Sequence, residues 1–198
     1  MSQTSPTPVE KKIIFLLGGP GSGKGTVSKS ICEHYNVGYM CAGDLLRKES
    51  KQDTEFGRDL AEQLRLGKIV PIEVTIRLLK QEIESQQKDF YIIDGFPRAV
   101  DQAVFFEKDV CPSIAVLFLH APDEVLIQRL LSRAATSDRN DDNMNSIKLR
   151  INVFHNQSYP VIEHFEPTGK VHKIDATGTP EEVFSLVSIV LDKVIGKK

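Results

Sequence analysis

A glycine-rich segment at residues 18–24, GGPGSGK, places the strongest constraint on how this chain can fold. It follows the apolar run KIIFLL at 12–17 and precedes a stretch of helical periodicity at 24–35, so it is a GxxxxGK pattern between a strand and a helix. The glycines let successive backbone N–H groups turn toward one anion, and the helix N-terminus adds about half a positive charge. Lys24 supplies a further cation. The segment therefore predicts a phosphate-binding loop.

The rest of the chain alternates between short apolar runs and amphipathic segments of helical period. Four further runs are typical of buried strands: 37–41, 89–94, 114–120 and 171–175. Strands with so few polar positions are covered on both faces, which favours a parallel sheet between two layers of helices. We therefore predict one α/β domain over residues 1–198. A long helix over 143–165 contains Pro160, where it is predicted to kink or break.

Composition excludes several classes of protein. The net charge is −2 and 40% of the residues are hydrophobic, which argues against disorder and against a nucleic-acid or membrane partner. Phosphate binding must then depend on local clusters of cations. The three cysteines lie outside any CxxC pattern, so neither a disulfide framework nor a zinc site is expected. The polar N-terminus reads as a loose tail rather than a signal peptide, and we expect a cytoplasmic protein, with the nucleus also compatible.

The residues after the lysine argue against a GTPase switch. Gly25 and Thr26 follow Lys24, whereas many phosphate loops carry Ser or Thr directly after the lysine. The chain also has no Asn-Lys-x-Asp segment that would read guanine. These two features favour another class of phosphate-binding enzyme.

Several segments together resemble one family. GGPGSGKGT at 18–26 is followed, in order, by AGDLLR (42–47), GKIVP (67–71), DGFPR (94–98), QRLLSR (128–133) and DRNDDN (138–143). In these segments the chain resembles the nucleoside monophosphate kinases, which include adenylate kinases and UMP/CMP kinases, and is most similar to the UMP/CMP (uridylate) kinases. The resemblance implies a P-loop NTPase fold with a five-stranded parallel sheet, an NMP-binding insert at 41–71, a short lid at 132–142 and a monomer.

The resemblance also implies the reaction, which is transfer of a phosphoryl group from ATP, with Mg²⁺, to a nucleoside monophosphate. Two multiply charged anions must meet, so catalysis depends on positioning and on cations near the transferred group. Arginine suits this role because its planar fork binds phosphate through two hydrogen bonds. The acceptor phosphate is already an anion, so no general base is required. The residues implied to carry the catalytic charge are Lys24, Arg98, Arg133, Arg139 and Arg150.

The family pattern also assigns residues to the ATP side. Arg129 is implied to stack on the adenine base, with the backbone near Gly178 on the other side of the base. Arg133 and Arg139 are implied to clamp the ATP phosphates. The full set implied to bind ATP is Gly19, Gly21, Ser22, Gly23, Lys24, Gly25, Thr26, Arg129, Arg133 and Gly178.

On the acceptor side, the family pattern gives mixed signals about the base. Ala42 stands where adenylate kinases usually have Thr, which favours UMP or CMP, whereas Gln102 matches adenylate kinases and also fungal-type uridylate kinases. We expect UMP/CMP as acceptor with some AMP activity; the alternative is an adenylate kinase. The residues implied to bind the acceptor are Ala42, Arg47, Ile69, Val70, Gly95, Arg98, Gln102, Arg139 and Arg150.

The carboxylates have more varied roles. Asp94 ends an apolar strand, where the resemblance implies a contact with Mg²⁺, directly or through water. Asp141 and Asp142 are equally compatible with clamping lid arginines and with capping the helix that begins near Asn143. Asp138 stands where the lid usually has Gly, and we expect its charge to weaken ATP binding or to slow lid closure.

A protein that kept the fold but lost catalysis is the remaining alternative. Such a relative would be expected to lose Lys24, Arg98 or the lid arginines, and this chain keeps them. The sequence therefore favours an active enzyme.

Overall fold

The computed structural model describes residues 11–66, 70–134 and 143–196. These ranges contain a five-stranded, all-parallel sheet flanked by helices, which confirms the predicted fold class. The strands are β1 (Lys12–Gly18), β2 (Gly38–Cys41), β3 (Phe90–Asp94), β4 (Ser113–His120) and β5 (Val171–Asp175). The helices are α1 (Lys24–His34), α2 (Ala42–Ser50), α3 (Glu55–Arg65), α4 (Ile72–Gln86), α5 (Val100–Asp109), α6 (Asp123–Ala134), α7 (Met144–Val153), α8 (Tyr159–Phe165) and α9 (Pro180–Ile195).

The strands are apolar throughout because both faces of the sheet are buried. Successive side chains of a strand point to opposite faces. In β1, Ile14 and Leu16 therefore join a core layer with α1, α6, α7 and α9. The alternate residues Ile13, Phe15 and Leu17 join a second layer with α4, α5 and α8. Every side chain in both sets is at most 5% exposed.

The strand order is β2-β3-β1-β4-β5, with β1 at the centre. Leu16 of β1 pairs with Asp94 of β3, and Gly18 of β1 pairs with Leu119 of β4. Ligands of open α/β sheets bind outside the carboxyl ends of the strands, where the chain reverses its direction of winding. This register brings the end of β3 beside the phosphate loop, residues 18–24, at such a point.

The region of the predicted long helix is irregular, but the irregularity precedes the proline. A π-helical turn, Phe154–Ser158, separates α7 from α8, and Pro160 is the second residue of α8. Proline is tolerated in a first helical turn because its missing N–H needs no partner there. Asn143 caps α7 by accepting a hydrogen bond from the backbone N–H of Ser146 at 3.0 Å. The N-cap position is therefore Asn143 itself rather than one of the aspartates before it.

The segment predicted as the NMP-binding insert has a small apolar cluster of its own. Leu46 of α2, Leu60 of α3 and Val70 form this cluster, separate from the two core layers of the sheet. At the start of α2 the helix begins at Ala42, so Asp44 lies inside its first turn and pairs with Arg47 instead of capping the helix. Within the described ranges, no helix combines the length and apolar character that crossing a bilayer demands.

Candidate active site

A cleft of about 980 Å³ opens at the carboxyl ends of the strands, and we call it the main cleft. Its described lining contains eight lysines and arginines but only two carboxylates, in a chain whose net charge is −2. Such a concentration of one sign of charge in a concave site attracts anions. The cations of the main cleft are Lys24, Arg47, Lys51, Arg65, Arg98, Arg129, Arg133 and Arg150.

The phosphate loop forms one wall of the main cleft, and the loop needs glycines because of its backbone conformation and its close packing against α6. Gly21 has a φ of +85°, and a Cβ at this position would lie 2.6 Å from the carbonyl oxygen of Leu126 in α6. Gly23 has a φ of +90° and immediately precedes α1. Only glycine adopts this backbone without strain. The loop can therefore turn its N–H groups toward the cleft while it packs against α6.

Lys24 lies folded back over its own loop. Its Nζ donates hydrogen bonds to the carbonyl oxygens of Gly18 at 2.8 Å and Gly19 at 3.0 Å. Burial lowers the pKa of Lys24 to about 8, opposed by the nearby Asp94 and reinforced by the charges of Arg98 and Arg150. A phosphate at this position would compensate the lost solvation and raise that pKa.

Asp94, at the end of β3, is the buried carboxylate of the site and is only 4% exposed. Its Oδ2 accepts a hydrogen bond from the hydroxyl of Tyr39, 3.0 Å away on the neighbouring strand β2. Burial raises the pKa of Asp94, whereas Lys24 and the Tyr39 hydrogen bond oppose this. Among the described residues, no group of three or more His, Cys, Asp or Glu could hold a metal alone. A single carboxylate beside a phosphate loop fits a hard divalent cation that shares its ligands with phosphate and water.

Two arginines of α6 line the main cleft. Arg129 donates to the carbonyl oxygens of Ala176 at 2.7 Å, Thr177 at 3.1 Å and Gly178 at 3.2 Å, in the loop between β5 and α9. The structure thus brings together the predicted stacking residue and the backbone predicted to lie across the base from it. Arg133 follows one turn later and also lines the cleft.

Arg98 follows β3 in a loop that is held at several points. Its Nε donates to the Gly95 carbonyl oxygen at 2.9 Å, and its backbone carbonyl accepts from the hydroxyl of Ser158 at 3.0 Å. Its backbone N–H donates to Oε1 of Gln102 at 2.9 Å. Arg150 of α7 lines the same cleft, and its charge is close enough to act on Lys24 and Arg98.

A second, smaller cavity of about 20 Å³, which we call the recess, shares Leu64, Gly95 and Arg98 with the main cleft. The acceptor-side residues Ala42, Val70 and Gln102 line it. The predicted site residues therefore fall into two groups. Those proposed for phosphate lie in the main cleft, and those proposed for the acceptor base lie around the recess.

Of the remaining predicted residues, one is described and is absent from both linings, and the others fall outside the described residues. Gly19 belongs to the phosphate loop but faces α6, since a Cβ there would lie 2.6 Å from the Leu126 side chain. Ile69 and Arg139 are outside the described residues, as are Asp138, Asp141, Asp142 and the N-terminal tail.

Sequence reasoning missed four residues that the structure brings to these cavities. Lys51 and Arg65 line the main cleft, and Tyr39 contacts Asp94 from β2. Thr75 of α4 lines the recess. Of these four residues, only Thr75 could have been singled out from the sequence. It is a polar residue four positions before Leu79, on the apolar face of an amphipathic helix.

The fold and the phosphate loop define a P-loop nucleotide-binding protein of the α/β class. The family model for adenylate kinase matches residues 16–170. The chain is 42% identical to adenylate kinase 1 of Schistosoma mansoni, over 92% of this chain and 93% of that one. It is 41% identical to uridylate kinase of Saccharomyces cerevisiae, over 92% of both chains, and 45% identical to UMP-CMP kinase 3 of Arabidopsis thaliana, over 90% and 88%. The chain belongs to the adenylate kinase family.

Proposed function

We propose that this protein is a nucleoside monophosphate kinase that transfers the terminal phosphoryl group of ATP to UMP or CMP. The observation that carries the proposal is the charge of the main cleft, whose described lining has eight cations and two carboxylates. The cleft includes the phosphate loop and shares residues with the recess. Two nucleotides bound in these cavities would meet with their phosphates among the cations. The repulsion between the two anions is then offset by fixed positive charges.

On the donor side, the phosphate loop and Lys24 bind the ATP phosphates. Lys24 exchanges its hydrogen bonds to Gly18 and Gly19 for bonds to phosphate oxygens. Arg129 and the backbone at Gly178 hold the adenine base, and Arg133 and Arg139 clamp the transferred group.

On the acceptor side, Arg47 and Arg98 bind the monophosphate, and Arg150 contacts both nucleotides near the transferred phosphate. The hydrogen bonds around Arg98 hold its loop in place before substrate arrives, which lowers the entropic cost of orienting the acceptor. The acceptor phosphate oxygen attacks the γ-phosphorus in line, and the bond from γ-phosphorus to the β–γ bridging oxygen breaks.

A divalent cation, Mg²⁺, fits the same site through Asp94, directly or through water. When bound, it would neutralise phosphate charge. The hydrogen bond from Tyr39 restrains the orientation of the Asp94 carboxylate, the residue that would hold the cation.

The segments 41–71 and 132–142 act as an NMP-binding arm and a lid. The apolar cluster of Leu46, Leu60 and Val70, distinct from the two core layers of the sheet, supports the arm as a packed unit. The protein acts as a monomer, as the family resemblance implies, and its place of action is the cytoplasm.

Adenylate kinase activity is the second candidate, since Gln102 stands at the recess and a relative 42% identical is an adenylate kinase. Initial rates with Mg-ATP and each of AMP, UMP, CMP and dCMP test the choice. We expect kcat/KM to be highest for UMP or CMP and measurable for AMP. A clear preference for AMP would overturn the choice of acceptor, and no transfer to any of the four would overturn the proposed reaction.

Binding of ATP should weaken at alkaline pH. Lys24 has a pKa of about 8 in the empty site, and bound phosphate raises it. Below pH 8, Lys24 is charged both in the free protein and in the ATP complex. Above pH 8, Lys24 of the free protein is mostly neutral, so ATP binding must be accompanied by the uptake of a proton. We expect the Kd of ATP to rise about tenfold from pH 7 to pH 9, in a range where ATP is already ionised.

Calorimetry in buffers of different ionisation enthalpy measures both that affinity and the proton uptake. The K24R variant stays charged across this range and should lose the pH dependence. A flat Kd in the parent protein would contradict the prediction.

A further inference from the structure

The recess contains polar chemistry that the phosphate cations do not explain. Most of its wall is apolar, and two side chains other than Arg98 bring polar groups to it, Thr75 and Gln102. Both are only 4% exposed. The lining residues are Ala42, Leu46, Leu64, Val70, Thr75, Gly95, Phe96, Arg98 and Gln102.

Thr75 is unusual for a threonine inside a helix. Its side chain lies on the buried face of α4, in step with Leu79 and Ile83. A helical threonine commonly donates to a carbonyl three or four residues earlier. Within residues 11–66, 70–134 and 143–196, the Thr75 hydroxyl has no hydrogen-bond partner. No fully enclosed side-chain N or O in those ranges lacks a partner, so this hydroxyl reaches the open space of the recess.

Gln102 has a defined orientation. Its Oε1 accepts from the backbone N–H of Arg98 at 2.9 Å, which identifies the oxygen end of the amide. Its Nε2 faces the carbonyl oxygen of Val70 at 3.5 Å, the outer limit for a hydrogen bond. The amide therefore has donor capacity left for a ligand in the recess.

We propose that Thr75 is a specificity-determining residue that hydrogen-bonds the base of the acceptor, and that this base is a pyrimidine. The inference rests on the proposed function and names the group that reads the acceptor. Uracil and cytosine each present adjacent donors and acceptors on one ring edge. A hydroxyl that rotates to donate or accept, beside a donating amide, suits both bases.

The recess is smaller than any nucleobase. At about 20 Å³ it must widen to admit any base, and a pyrimidine requires less widening than a fused purine. Ala42 contributes a methyl group and no second hydroxyl to the wall. A base edge that enters the recess gives up its hydrogen bonds to water, and the hydroxyl of Thr75 supplies a replacement partner.

Two matched variants test the role of the hydroxyl. T75V keeps the shape and removes the hydroxyl, whereas T75S keeps the hydroxyl and removes the methyl group. We expect T75V to lower kcat/KM for UMP and CMP about tenfold, the effect of one unmatched hydrogen bond. T75S should lose no more than about threefold, the effect of one methyl group. The KM for ATP should stay the same in both, because Thr75 does not line the main cleft.

The acceptor panel and the melting temperature separate the outcomes. A smaller loss for AMP than for UMP and CMP in T75V supports the inference. Equal losses in T75V and T75S, or an unchanged T75V, overturn it. If T75V does not fold, T75C takes its place, because a thiol is a much weaker hydrogen-bonding group than a hydroxyl. Its losses of kcat/KM for AMP, UMP and CMP are compared in the same way. If the parent protein phosphorylates no monophosphate, the proposed function itself fails; if the parent is active and T75V behaves as T75S does, only this inference fails.

Discussion

Replacing Lys24 with methionine is expected to lower kcat by about 10³-fold, the scale measured when one preorganised charge is removed from a phosphoryl-transfer site. Lys24 is the last residue of the phosphate loop and folds back over it, with its Nζ 2.8 Å from the Gly18 carbonyl oxygen. Methionine has similar length but no charge. The nucleotide phosphates would then lose one of the eight cations in the described lining of the main cleft.

The measurement is single-turnover conversion of NMP to NDP, with ATP affinity recorded separately. Lys29 provides the matched control, because it is an exposed lysine of the same helix and does not line the main cleft. K29M should have parental kcat. A K24M protein that converts NMP as fast as the parent would remove the basis of the proposed mechanism. A melting temperature of K24M equal to that of the parent protein would exclude loss of folding as the cause of a lower kcat.

Replacing Arg98 with methionine is expected to lower kcat/KM for the acceptor by about 10²-fold, with little change in the KM for ATP. Arg98 is near the acceptor recess, and its loop is held by Gln102, Gly95 and Ser158. R98M removes the charge and the Nε hydrogen bond to Gly95, whereas the backbone hydrogen bonds to Gln102 and Ser158 still hold the loop. The positive charge of Arg150 acts on Arg98, and the negative charge of an acceptor phosphate would offset that effect.

Steady-state kinetics with each substrate varied in turn provides the test. Arg58 is the control, since it is exposed, pairs with Asp53 at 2.8 Å and lies outside the lining of the main cleft. R58M should leave both KM values as in the parent. If R98M raised the KM for ATP as much as that for the acceptor, Arg98 would not belong to the acceptor side.

Much of the fold could be predicted from sequence because its signals are local. The strand before the phosphate loop was expected over 12–17 and is observed at Lys12–Gly18. The last helix opens at Pro180, where Thr179 and Glu182 form a reciprocal cap, a pattern contained within four consecutive residues. The break in the long helix was less well predicted. Proline disfavours the helix that precedes it, so the backbone irregularity falls at Phe154–Ser158 rather than at Pro160 itself.

The candidate site was predictable only in part. Residues within one contiguous motif, such as the phosphate loop, carry their own geometry, and the family resemblance assigned the arginines. Tyr39 was not found, because its partner Asp94 lies 55 residues away on a neighbouring strand. Thr75 was not found either, because periodicity identifies the buried face of an amphipathic helix but not which cavity that face borders.

The sequence by itself determined the parallel α/β architecture, the anion-binding loop and the set of cations available for phosphate, because strand burial, glycine turns and charge are properties of short segments. Only the tertiary structure decided that these cations share one cleft, and that a separate recess holds the hydroxyl of Thr75 beside the amide of Gln102. The physical reason is that the order of strands in the sheet and the packing of helices on it depend on contacts between distant residues. Those contacts set which side chains become neighbours.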